Sequence, residues 1–149
     1  MISSALMSSL HLLTLALGLG AIVARGRALK GTLDEAGLKR LFTADNLWGV
    51  AAGLWMLTGL LRAFGGFEKP TAYYAHNKMF MVKMTLFTLV VLLEIWPMVT
   101  FIGWRRARKA GTKIDTSKAK ALWGVNHAEI WLSVACVFVA SMMARAIGY

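Results

Sequence analysis

Four long apolar stretches, at residues 2–24, 47–64, 79–104 and 122–144, constrain this chain more than any other feature. Each reaches or approaches the roughly 20 residues that cross about 30 Å of hydrocarbon at about 1.5 Å per residue. Of the 149 residues 58% are hydrophobic and only 16% charged, too apolar a balance for an ordinary soluble domain of that length. The expectation is an all-α integral membrane four-helix bundle, a single domain over residues 1–149. Its helices fall at about 2–24, 46–64, 77–104 and 120–146, with connections at 25–45 and 105–119.

A net charge of +10 would point a soluble protein toward nucleic acid. Here the basic residues gather in two connections. Residues 25–40 hold Arg25, Arg27, Lys30, Lys39 and Arg40 against Asp34 and Glu35, and residues 105–120 hold seven Lys or Arg against Asp115 alone. Positive loops stay inside, so both connections read as cytoplasmic and both termini as outer, periplasmic in a bacterial inner membrane that the chain crosses four times. The surplus charge then serves insertion and attraction to anionic headgroups of the lipid bilayer, and no nucleic-acid partner is indicated. No basic residue precedes the first apolar run, which reads as a mature helix and not a cleaved signal. Cys136 is the only cysteine, so neither an intramolecular disulfide nor a cysteine metal cluster is available.

Trp48, Trp96, Trp104 and Trp123 fall near the cytoplasmic ends and Tyr73, Tyr74 and Tyr149 near the outer ends, an interfacial belt. Thr32, with Glu35 three residues on, predicts the cap of a short amphipathic helix along the interface, with Leu33, Leu38, Leu41 and Phe42 on its apolar side. Asp45 predicts the cap of the second spanning helix. Pro97 predicts a bend near Glu94.

Ionisable groups inside apolar runs are costly, about 2.5–3.5 kcal/mol for a central Lys or Asp on the mildest scale. His76, Lys83 and Glu94 are spaced by seven and eleven residues, near-integral helical turns, and so share one face. Ser4, Ser8, His11, Thr14, Gly18 and Arg25 form a similar stripe in the first helix, and Asn126, Glu129 and Ser133 in the last, with His127 on the flank. Gly49, Ala52, Gly53 and Gly59 offer the second helix a close-packing face. These stripes predict a polar axis inside the bundle.

The chemistry stays open between readings. His11 is either a neutral imidazole bonded to a neighbouring helix or a ligand to haem iron or another metal. Lys83 either snorkels outward, pairs with a carboxylate, holds a propionate, or ligates and moves protons. His76 is an interfacial histidine or a further metal ligand. Glu94, His127 and Glu129 are candidates for proton movement beside Lys83, and Arg25 and Asn126 complete the candidate cofactor-binding set. Met7, Met79, Met81, Met84, Met142 and Met143 all belong to the outer half, where they are either packing or soft copper ligands.

His11 with the run LLTLALGLGAIVARGRAL, the segment HNKMFMVKM and the segment VNHAEIWL resemble parts of the HemJ-type protoporphyrinogen oxidases, and the CopD-like copper-resistance proteins share the general build. With phrases such as ADNLWG and LLEIWPMVT, the whole chain resembles an uncharacterised bacterial family of small four-span membrane proteins. The HemJ resemblance implies a bundle binding b-type haem, with His11 and Lys83 at the functional positions and, if an enzyme, a membrane oxidoreductase. It implies electron transfer involving quinone or porphyrin. The CopD resemblance implies copper handling through His11, His76 and the outer methionines. A homodimer is compatible with the exposed surface of four helices.

Overall fold

The computed structural model describes residues 2–66 and 69–148; Tyr149 lies outside them. The described residues form helices α1 (Ile2–Lys30), α2 (Glu35–Phe64), α3 (Thr71–His76), α4 (Lys78–Lys109) and α5 (Ala119–Ala144). All but α3 are long and apolar enough to cross a membrane. Most large apolar side chains on their outer faces are exposed, among them Leu13, Val99, Trp131 and Phe138. That distribution suits lipid and not water.

The helices overrun the apolar stretches at the basic end, and each overrun has a physical cause. The first continues past residue 24 to Lys30, carrying Arg25 inside the bundle. The second begins at Glu35, capped by Asp34, whose carboxylate accepts from the Gly37 N–H at 2.7 Å. Thr32 therefore caps nothing, and Asp45 lies in mid-helix. The expected surface helix is the first turns of α2. A Cβ on Gly37 would lie 1.9 Å from the Thr32 carbonyl oxygen, so the turn into α2 needs glycine there.

Leu38, Leu41 and Phe42 are buried, packing with Leu29, Phe101, Trp104 and Leu122 into an apolar cluster at the basic end. Their burial inside the bundle corrects the interfacial placement. Trp48 and Trp104 are likewise core residues, 3% and 6% exposed, and do not anchor at an interface. Ala21, Ile22, Trp48 and Val90 form a second cluster in the middle. Ala63, Tyr74 and Phe80 form a third toward the termini.

The expected close-packing face of α2 holds in part: Ala52 packs on the middle cluster, and a Cβ at Gly59 would lie 3.3 Å from the His11 ring. A Cβ added at Gly49 or Gly53 would meet nothing within 4 Å, so those glycines do not pack on a neighbour. A Cβ at Gly18 would lie 3.4 Å from Ala51 and from Trp48, and one at Gly26 would sit 2.6 Å from Asn126 Nδ2. These positions bring α1 against α2 and α5. Pro97 is fully buried inside α4, which continues through it to Lys109.

Candidate functional site

Two polar centres lie along the bundle axis. Nearer the basic connections, Arg25 has no exposed surface, and all five of its N–H bonds have an acceptor. Nε donates to Asn126 Oδ1 at 2.7 Å, Nη1 to Asp45 Oδ1 at 3.0 Å and to Glu94 Oε1 at 2.8 Å. Nη2 donates to Glu94 Oε2 at 2.9 Å and to Glu129 Oε2 at 2.5 Å. The planar guanidinium thus bridges side chains from all four spanning helices, a geometry that a lysine ammonium does not reproduce. Asp45 is also held by Arg105 at 2.7 Å, Trp48 Nε1 donates to Glu94 Oε2 at 3.0 Å, and Asn126 Nδ2 donates to the Ile22 carbonyl at 3.0 Å.

This arrangement explains why the helices outrun their apolar segments. Arg25 and Asp45, taken alone, break an apolar run and read as loop charges. Paired across α1 and α2 they neutralise one another in a packed interior, where a lone charge would be far more costly.

Toward the termini, His11 is 6% exposed and both ring nitrogens are engaged. Trp55 Nε1–H donates to His11 Nε2 at 3.0 Å. The proton is therefore on Nδ1, which donates to Thr58 Oγ1 at 2.7 Å; the threonine hydroxyl donates onward to the Leu54 carbonyl at 2.8 Å. Beside this trio lies a chamber of about 380 Å³, into which His11, Trp55, Arg62, Lys83, Tyr74 and Phe80 converge from every helix but α5. Helix α5 contributes Cys136 and Ala140 to the lining. At the terminal end Tyr73 Oη donates to the Met143 carbonyl at 2.9 Å and Lys78 N–H to the Gly148 carbonyl at 2.8 Å, tying α3 and the C-terminal turn over the bundle.

The expected site residues separate accordingly. His11 and Lys83 come together at the chamber, and Arg25, Glu94, Asn126 and Glu129 at the charge cluster. His76 joins neither. Asn77 interrupts the helix and caps α4, its side chain accepting from Met79 N–H and Phe80 N–H, so His76 ends α3 and bonds only its own turn at the Ala72 carbonyl. The shared face of His76, Lys83 and Glu94 is corrected to Lys83 and Glu94. His127 is exposed and stacks beside Trp123, with ring centroids 4.3 Å apart, outside the cluster.

Sequence reasoning missed Trp48, Trp55, Thr58 and Arg105. Asp45 was expected on the inner half of the polar axis, with Glu94, Asn126 and Glu129, though as a helix cap; it lies there as a mid-helix partner of Arg25.

The donor set can be tested against iron or copper. An imidazole ligates through a bare ring nitrogen, and here Nε2 accepts from Trp55 while Nδ1 holds its proton toward Thr58. As arranged, His11 does not fit a metal; ligation requires Trp55 to leave. Met81 and Met142 are exposed, and Met84 and Met143 pack against the Tyr74–Phe80 cluster.

Inward-turned charge and outward-turned apolar surface on four helices of spanning length define a four-span helical membrane protein. A family model described as predicted membrane protein, DUF2214, matches residues 3–148, and the chain belongs to that family. No curated protein and no solved structure matches it, so the likeness to HemJ-type and CopD-like proteins gains no support from those comparisons.

Proposed function

We propose that this chain is a membrane-embedded binding protein whose chamber takes a quinone-type lipophile, a flat aromatic head with oxygen acceptors. The observation that carries the reading is the chamber itself, about 380 Å³, open on one side and lined by side chains from all five helices. Its size lies within the range of small-molecule sites, roughly 300–1,000 Å³. Its walls supply aromatic faces from Trp55, Tyr74 and Phe80 and N–H donors from Lys83 and Arg62, the chemistry that holds a ring and its carbonyl oxygens. His11 acts here by fixing Trp55 through its hydrogen bond, so that the indole presents one face to the occupant.

The charge pattern supports the basic connections on the cytoplasmic side of a bacterial inner membrane, with both termini and the chamber toward the periplasm. The occupant enters from the bilayer.

Haem b is the more specific reading of the same chamber, favoured by the meeting of His11 and Lys83 at its wall. It would need His11 to exchange Trp55 for iron. One titration separates the two. In lipid nanodiscs, a short-chain ubiquinone analogue is expected to quench Trp55 fluorescence saturably at one molecule per chain, and Ala140→Phe, which fills the chamber, is expected to abolish the saturable part. Quenching that is unsaturable, or the same in Ala140→Phe, would reject the reading. A Soret band in the purified protein that shifts in His11→Ala would replace it with haem.

A further inference from the structure

The charge cluster does something that the chamber reading does not use. Three carboxylates, Asp45, Glu94 and Glu129, face two guanidiniums, Arg25 and Arg105; Arg25 and Glu129 are fully buried, and the other three keep part of their surface exposed. If all five are ionised, one negative charge is uncompensated. The geometry shows where the imbalance falls. Arg25 has spent every N–H. Asp45 has cations on both oxygens. Glu94 accepts on both oxygens, from Arg25 and from Trp48. Glu129 has no exposed surface, accepts through Oε2 alone, and its Oε1 has no hydrogen-bond partner.

A bare carboxylate oxygen in a packed membrane interior is among the most expensive groups to leave unmatched. Its neighbours offer no relief, because Glu94 Oε2 and Glu129 Oε2 already bond the same nitrogen, Arg25 Nη2. Two carboxylates sharing one donor repel unless a proton lies with one of them. Every charged or titratable group bonded into the cluster is accounted for: Arg25 from α1, Asp45 from α2, Glu94 and Arg105 from α4. Asn126, on the same helix as Glu129, is neutral and bonded to Arg25 and to the Ile22 carbonyl.

We propose that Glu129 carries an exchangeable proton on Oε1, making the Arg25 cluster an intramembrane proton-binding site. Binding one proton brings the cluster to neutrality; releasing it leaves the interior one charge negative. Ser133, one turn further along α5, is 1% exposed and its hydroxyl also has no partner. Cys136, on the same face again, lines the chamber. The two unpartnered groups on α5, Glu129 and Ser133, thus lie on the helix face that leads to the chamber wall at Cys136, whose thiol donates to the Lys83 carbonyl. The assignment rests on the cluster alone and stands whether or not the chamber binds a quinone.

The test is infrared spectroscopy of the protein in nanodiscs at pH 7 with ¹³C-labelled glutamate. The expected result is a protonated carboxylic C=O band that carries the label shift, moves in D₂O, is removed by Glu129→Gln and is kept by Glu94→Gln. Absence of any labelled carboxylic band in the wild type overturns the proposal whatever the variants do. So does a band that survives in folded Glu129→Gln or disappears in folded Glu94→Gln.

Discussion

Arg25→Ala is expected to lower stability by about 3–5 kcal/mol, the loss that follows when one partner is removed from a buried ion cluster. The side chain ties α1 to the other three spanning helices through Asp45, Glu94, Glu129 and Asn126. Its removal leaves buried Glu129 and partly buried Asp45 and Glu94 with Arg105 as the remaining cation of the cluster, and Arg105 bonds Asp45 alone among them. The check is the unfolding midpoint in mixed detergent against the wild type. Arg25→Lys is expected to recover only part of the loss, because an ammonium offers three donors where five acceptors wait. A midpoint unchanged in Arg25→Ala would mean that the cluster does not hold the helices together.

Leu41→Ala separates two accounts of the α1–α2 region. A leucine on a short helix lying along the membrane surface would lose little on truncation, within about 0.5 kcal/mol. Leu41 instead has no exposed surface and packs with Phe101, Trp104 and Leu122 from α4 and α5. The expected cost is about 2–5 kcal/mol, the range for deleting a buried leucine side chain where the site cannot collapse. Lys39→Ala, two residues away and exposed, serves as the control and is expected to change stability by less than about 0.5 kcal/mol. Equal small effects at both positions would return the first turns of α2 to the surface.

How far the sequence reads depends on whether the cause is local. Periodicity within one helix identified the inward faces: His11, Thr14, Gly18 and Arg25 on α1, and Asn126, Glu129 and Ser133 on α5, are all buried. Helix ends at the basic side were not legible, because they rest on pairings between helices. Arg25 lies 20 positions from Asp45 and 104 from Glu129, and nothing in a sequence window reveals that these charges cancel.

His76 is a different case. Pro70 and Asn77 flank it, and asparagine is a preferred helix cap, so the break before α4 had a signal that helical spacing overrode. His127 stands directly after Asn126, and a single residue turns a side chain by about 100°, enough to carry it out of the cluster. Trp55 and Thr58 gave no signal at all, because an indole and a hydroxyl in an apolar helix look like packing until a histidine from another helix meets them.

The most direct test of the binding account is to ask what the protein holds when taken from its own membrane. The wild type and Ala140→Phe are extracted side by side with a copolymer that keeps native lipid, and quinones in each are quantified against total lipid and protein. The account predicts about one quinone per chain above the bulk-lipid ratio in the wild type, lost in Ala140→Phe. Equal quinone in the two preparations, at the ratio of the surrounding lipid, would contradict it.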